Sequence, residues 1–301
     1  MCNVIIREPV MVVDIGNTNI LCAIYLDGEP IWTARFTSSR EKTSDEYYIL
    51  LSGLMESSVL SEEEKIAIED INYVALGSVV PELTRVWRHL FSKYFKVEIT
   101  EINALSPLGI SFRVENPSFI GADLIANAYA ALHKYKSSSI IIDLGTATTI
   151  ELISNERRFE GAIIAPGMKL GAEILFQRAA QLYEIELVQP PVLLGLNTTH
   201  AMLSGVVYGH SIMLDALVVK IKEQYSQLAP IRTILTGGMA SLVKPSMKEI
   251  DVVDRHLTLD GFYLAFCRIL QQKQYFMLKK LFLCLLLIAF TLLWANEPTG
   301  A

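Results

Sequence analysis

The chain carries one device twice. Val12-Val13-Asp14-Ile15-Gly16-Asn17-Thr18-Asn19 and Ile141-Ile142-Asp143-Leu144-Gly145-Thr146-Ala147-Thr148 each run an apolar strand into an aspartate and then into a small, hydroxyl-rich turn. The two aspartates lie 129 residues apart. Internal similarity at domain-sized spacing points to duplication and to two halves of one fold. Strand resumes after each turn, at residues 20–26 and 150–154. That context argues against a dinucleotide fold, whose glycine turn opens a helix, and no two glycines stand two residues apart. There is no Gly-Lys dipeptide and hence no P-loop of the usual form.

The pattern along the chain predicts an α/β protein. Residues 10–14, 20–26 and 30–36 read as strands, with Asp27-Gly28 as a hairpin turn. Helical spacing covers 44–60, residues 61–65 read as solvated helix or loop, and a strand at 73–79 leads into a helix at 81–94. A second unit begins near 117. Its helix at 121–133 sets Leu124, Ile125, Ala128, Ala131 and Leu132 on one face, and a strand follows at 139–143. The expected division is residues 1–116, residues 117–276 and a hydrophobic tail, 277–301, outside the fold.

Both turns suit polyphosphate. Gly16 and Gly145 allow close backbone approach, successive N–H groups point outward, and Asn17, Thr18, Asn19, Thr146 and Thr148 add side-chain donors. Asp14 and Asp143 at the strand ends would each hold a cation that screens phosphate charge. A tight hairpin whose aspartate caps its own turn reads equally well from either motif alone; the repeat favours phosphate. Gly237-Gly238, between a strand and a helix, is either a surface for a flat ring or a glycine turn. Asp123 falls in the first turn of a helix, where it either complements the dipole or serves as a general base.

Composition narrows the partners. Lys plus Arg is 26 against 32 Asp plus Glu, a net −6, and this argues against nucleic acid. The four cysteines are scattered without a C-x-x-C and fit a reducing cytoplasm; the five histidines show no metal spacing, and His200 and His210 read as structural or surface residues. The N-terminus lacks a signal-peptide layout. Residues 277–301 do have one, with Met277, Lys279-Lys280 and then fifteen residues, all but Thr291 apolar, but at the other end of the chain. As helix those fifteen span about 22 Å, short of a bilayer core of roughly 30 Å. The favoured reading is an extension outside the fold, the other a short C-terminal membrane anchor.

Taken together, the motifs resemble the type III pantothenate kinase family. The resemblance runs from about Val10 to about Cys267. It adds Ser78-Val79-Val80-Pro81, Asn116-Pro117 with Gly121-Ala122-Asp123, Ala165-Pro166-Gly167, Asn197-Thr198, Ser204-Gly205 with Gly209, Thr236-Gly237-Gly238 and Leu257-Thr258-Leu259-Asp260-Gly261 to the two turns. It implies two duplicated ribonuclease-H-like domains of the actin-like, sugar-kinase-like superfamily, with nucleotide in the cleft between them. It also implies ATP-dependent phosphorylation of pantothenate to 4'-phosphopantothenate, the first step of coenzyme A biosynthesis. Mg²⁺, a monovalent cation (K⁺ or NH₄⁺) and a cytoplasmic homodimer come with it. By the resemblance, Asp123 is the base, Asp14 organises Mg²⁺ through the phosphates and Asp143 holds the monovalent cation. Gly16 to Asn19, Gly145, Thr146, Thr148, Gly237 and Gly238 bind nucleotide, and Gly121, Ala122, Leu124 and Thr198 lie at the substrate. Three positions depart from the family pattern: Leu124 stands for Arg, Val114 for Tyr and Ala162 for Gly. The first two belong to the pantothenate end, so the alternative is a non-catalytic or regulatory relative that binds nucleotide but not pantothenate. A sugar or acetate kinase of the same superfamily is a third reading.

Overall fold

The computed structural model describes residues 6–57 and 66–295. Strand β1 (Val10–Ile15) turns at Gly16–Thr18 into β2 (Asn19–Leu26), which turns at Asp27-Gly28 into β3 (Glu29–Thr37). Helix α1 (Ser44–Glu56) starts at a capping box in which Thr43 and Glu46 satisfy each other's backbone N–H. β4 (Tyr73–Ser78), α2 (Pro81–Leu90) and β5 (Ile99–Glu101) complete the first sheet, in the order β3-β2-β1-β4-β5. The second sheet uses β6 (Ser111–Phe112), β7 (Ser138–Leu144), β8 (Ala147–Ile153), β9 (Arg158–Pro166), β10 (Ile231–Thr236) and β11 (Val252–Val253), in the order β11-β10-β7-β8-β9-β6. Helix α3 (Ala122–Tyr135) precedes β7. α4 (Met168–Arg178), α5 (Thr198–Leu203), α6 (Gly209–Gln224), α7 (Ala240–Val243) and α8 (Leu257–Ala295) follow β9.

The duplication is visible in the pairing. β1 lies antiparallel to β2 and parallel to β4; β7 lies antiparallel to β8 and parallel to β10. Alternation along the strands then assigns faces. Met11, Val13 and Ile15 pack outward against α1 and α2 with Tyr47, Leu51 and Trp87. Val10 and Val12 pack inward with Ala122, Ile125, Ala126 and Tyr129 of α3 and with Phe262 and Phe266 of α8. In the second sheet Ile140, Ile142, Ile150 and Leu152 face outward to Leu214 and Val218 of α6, whereas Ile141 and Ile153 face inward to Leu124 and Ala128 of α3. The order of layers is therefore α1/α2, first sheet, α3/α8, second sheet, α4–α7. Gly261 lets the two middle helices meet, because a Cβ there would strike the backbone of Ala126.

Two expectations change. The helix expected over 81–94 ends at Leu90 and widens into a π turn, Phe91–Phe95, closed by Lys96 in the left-handed region at φ 58°. Residues 277–295, expected as a tail outside the fold, are continuous in helix with α8; among the described side chains of that helix the last to pack on the core are Ile269 and Leu270, and Tyr275–Phe282 are exposed. Residues 58–65 and 296–301, with the solvated stretch expected at 61–65, lie outside the described residues. Among the described residues one helical stretch, Thr198–Gln224, has the length and apolar composition to cross a bilayer. It lies in the outer layer, with Leu214 and Val218 fully buried.

Candidate active site

Asp14 and Asp143 sit near the ends of equivalent strands, and the alternation just described turns both side chains inward, toward the middle layer. The turns that follow them meet tip to tip, with Thr18 Oγ1 2.7 Å from Thr146 Oγ1 across 128 residues of sequence. Asn17, Thr18, Asn19, Gly145 and Thr146 are exposed at this junction. Inside each turn the glycine N–H closes the loop, Gly16 N–H donating to Asn19 O at 3.0 Å and Gly145 N–H to Ala147 O at 3.1 Å. Gly237, at φ +91°, lies so close to Asp143 and Leu144 that a Cβ would strike both, while Gly238 faces open space. The two turns and the Gly237-Gly238 step thus border one cradle, floored by backbone, that larger residues would fill.

Asp123 enters from α3. Gly121 caps that helix and leaves the room its carboxylate occupies, for a Cβ there would collide with Asp123 Oδ1. Leu124 N–H donates to Asp123 Oδ1 at 2.9 Å. One turn further on, Asn127 is fully buried; its Nδ2 donates to Asp143 Oδ2 at 3.2 Å, and its Oδ1 accepts from Thr258 Oγ1 of α8 at 2.8 Å. A relay of three side chains from α8 through α3 therefore orients Asp143.

The acids act on one another. Loss of water holds Asp14 well above the usual carboxylate range, and the charges of Asp123 and Asp143 push the same way. Asp143 is pushed up to about 6 by burial and by Asp123, with the Asn127 hydrogen bond opposing. Burial also raises Asp123, against the hydrogen bond from Leu124 N–H, which favours its charged form. A fourth acid was missed by sequence reasoning. Glu151 lies on the inward face of β8 and is 1% exposed, and neither carboxyl oxygen has a partner. Burial and the charges of Asp123 and Asp143 hold it well above its ordinary value. The alternation Ile150-Glu151-Leu152 reads locally as a strand with one wet face.

Four expected site residues lie elsewhere. Thr148 points outward, as its place beside Ile150 and Leu152 requires; it is 1% exposed and its hydroxyl is 2.9 Å from His210 Nε2 of α6. Thr149, the cross-strand partner of Asp143, is the residue that shares the aspartate's face. Leu124 is a core residue, 7% exposed, packed with Ala128, Ile141, Ile153 and Phe159, and Val114 packs on the same cluster; Ala122 is buried against the first sheet. Thr198 is not brought to the acids. It borders a separate cavity of about 560 Å³ with Leu175, Leu182, Leu196 and Met202.

The chain is similar in sequence and fold to known proteins. The family profile described as type III pantothenate kinase covers residues 10–220. A type III pantothenate kinase from Roseiflexus sp. (strain RS-1) is 37% identical over 256 residues, which is 85% of this chain and 97% of that one. The chain belongs to the type III pantothenate kinase family. Its architecture is the actin-like, sugar-kinase-like ATPase fold of that family, and the repeated sheet order is the mark of it. Among solved structures, a Baf family transcriptional activator from Campylobacter jejuni superposes with a TM-score of 0.52 at 18% identity, over 88% of this chain and 99% of that one, a likeness of fold. The ethanolamine utilization protein EutJ from Carboxydothermus hydrogenoformans gives 0.48 at 16% identity, over 85% and 88%. Departures from the pantothenate kinase pattern at 114 and 124 thus fall on packed side chains.

Cations fit this site as charge balance. Among the described residues no three His, Cys, Asp or Glu side chains gather as a metal cage. Single carboxylates beside phosphate are, however, the usual way Mg²⁺ is held, and the mutual repulsion of Asp14, Asp123 and Asp143 favours bound positive charge.

Proposed function

We propose that this kinase transfers the terminal phosphoryl group of ATP to the primary hydroxyl of pantothenate. The observation that carries the reading is the meeting of Thr18 and Thr146, with Asp14, Asp143 and Asp123 all coupled behind it. The two turns bind the donor's phosphates through backbone N–H groups and hydroxyls, and Gly237-Gly238 borders the nucleotide. The acceptor lies toward the inward face of β8 and β9, where Thr149 is half-buried and Ala162 and Ile164 are exposed.

In the transfer, the acceptor oxygen bonds the γ-phosphorus as the bond to the β,γ-bridging oxygen breaks. The electron pair leaves with ADP, and the hydroxyl proton passes to Asp123. The hydrogen bond from Leu124 N–H and the N-terminal end of α3 favour ionised Asp123, while burial makes it a stronger base than a surface aspartate. Asp14 would hold Mg²⁺ through the phosphates and Asp143 a K⁺ or NH₄⁺ ion, each supplying positive charge against the phosphates. Asn127 and Thr258 keep Asp143 aimed.

A homodimer is part of this reading. Leu170, Ile174, Leu175, Val188, Leu193, Leu194 and Leu196 are exposed along α4 and the segment after it, a run of apolar surface next to Thr198 that a second copy would cover. The buried free thiol of Cys22 fits a reducing cytoplasm. The test is pantothenate-dependent ADP release by the full chain with Mg²⁺ and K⁺, beside Asp123→Asn. Turnover should fall about 10²–10⁴-fold in the variant while ATP still binds. An active Asp123→Asn removes the base, and ATP binding without any pantothenate-dependent release in the parent protein removes the reaction.

A further inference from the structure

The acids gathered in the middle layer raise a question of charge. Asp14, Asp123, Asp143 and Glu151 are all pushed toward their neutral forms by burial, and for Asp14, Asp143 and Glu151 neighbouring acids add to the push. A phosphoryl group in transfer spreads negative charge over its equatorial oxygens, and enzymes meet it with Lys, Arg or metal. Among the chain's own cations, Arg35 of β3 is exposed on the face of Asp14, across Leu21, and Arg40 and Lys42 lie on the loop between β3 and α1. A cavity of about 570 Å³ is lined there by Asn17 of the turn, by Ser38, Arg40 and Lys42 of the loop, and by Val80 and Leu83 at the start of α2; Glu41 also borders it.

The loop is indexed to the turn on both strands of the connection. Ser38 Oγ donates to Gly16 O at 2.6 Å and Ser38 N–H to Thr18 O at 2.9 Å. Its other side is fixed to Tyr47 of α1, whose hydroxyl accepts from Ser39 N–H at 2.8 Å and whose ring is fully buried. Arg40 is exposed and Lys42 half-exposed, and no ion pair to either occurs among the described residues; the field of Lys42 is felt by Glu46 one turn into α1. Two cations on a loop tied to the phosphate turn, opening with Asn17 onto a polar cavity, suit an oxyanion.

We propose that Arg40 and Lys42 form the cationic wall of the donor site and contact the terminal phosphate of the nucleotide held at the first turn. This rests on the reading of that turn as a phosphate site. The two cations would then discriminate ATP from ADP and stabilise the phosphoryl group as it moves.

The experiment measures ATP and ADP binding by the full chain with Mg²⁺, beside pantothenate-dependent turnover, for Arg40→Met, Lys42→Met and Lys42→Arg. Either methionine variant should weaken ATP by about ten- to a hundred-fold, the range for a hydrogen bond to a charged group. ADP affinity should stay within about two-fold, kcat should fall, and Lys42→Arg should restore most of the loss. Equal effects on ATP and ADP, or none on either, overturn the proposal while leaving the kinase reading in place. A parent protein that binds ATP in preference to ADP but shows no turnover with pantothenate overturns the kinase reading, and the methionine variants still decide the cationic wall by their ATP-to-ADP ratio. A parent that binds neither nucleotide overturns both. Melting temperatures near the parent's show that the variants fold, as expected for side chains outside the core.

Discussion

Glu151 is a buried carboxyl without a partner, and its position makes a sharp demand on pH. An acid whose folded-state pKa is raised keeps its proton in the native protein after the unfolded chain has lost it. The native state then binds more protons, so stability is greatest below about pH 4.3 and falls as pH rises toward the folded value. Asp143, pushed up to about 6, drains stability in the same direction over the lower part of that window. Glu151→Gln keeps the shape and removes the titration. The variant should gain on the parent by up to about 1.4 kcal/mol per pH unit across the window where only the unfolded carboxyl is charged. Urea unfolding of both proteins between pH 5 and 8 checks this, and parallel stability curves would mean that Glu151 is ionised and paired in solution. Residue roles were unevenly legible in the sequence. Asp14, Asp143 and Asp123 stood out because each ends a strand or opens a helix. Thr148 was misplaced because the face of a residue after a hairpin depends on loop length: with Leu144 opposite Thr148, Thr149 falls beside Asp143. Glu151 was hidden because the helix that covers it comes from another part of the chain.

Helix α3 shows what periodicity reveals and what it conceals. Its apolar face was readable and Leu124 does lie on it, but almost the whole helix from Ala122 to Leu132 is buried, Asn127 included. A helix packed between two sheets has two apolar faces, so a polar residue within it signals a specific partner rather than a wet side. Asn127 has two, Asp143 and Thr258. Asn127→Ala leaves the hydroxyl of Thr258 unmatched and removes the one hydrogen bond that lowers the pKa of Asp143. It should cost about 1–3 kcal/mol in stability and raise the K⁺ concentration needed for half-maximal turnover. Thr258→Val, which breaks only the outer link, should move the K⁺ requirement less. Titrating KCl at fixed ATP and pantothenate measures both, and an unchanged K⁺ requirement in Asn127→Ala would detach the relay from the cation. The strands and their order near each aspartate were legible from local patterns. The pairing of α3 with α8 was not, since it joins segments more than 120 residues apart.

At the scale of the whole molecule, the two sheets share their inner covering. Tyr25 of β2 donates to Asp260 of α8 at 2.5 Å, and Lys134 of α3 bridges Asp254 and Asp260 at 2.6 Å each, so the far edge of the middle layer is tied as firmly as its packing. Tyr25 also stacks on Tyr263 with ring centroids 4.5 Å apart. Among the described side chains of α8, Ile269 and Leu270 are the last to pack on the core, so a chain ending at Phe276 should remain folded, with a melting temperature close to the parent's and less aggregation. A chain ending at Arg255 should lose both halves. Circular dichroism melts and limited proteolysis separate these outcomes, and unfolding of the chain ending at Phe276 would show that the apolar end of α8 packs against something essential. The same sharing sets a timetable for biosynthesis. Val10, Val12, Ala23 and Tyr25 leave the ribosome more than 230 residues before Leu259, Phe262, Tyr263 and Phe266, which supply much of the surface that shields them. Over that interval the first sheet is therefore a half-finished interface with an apolar face in water, a natural client for holding chaperones until α8 arrives.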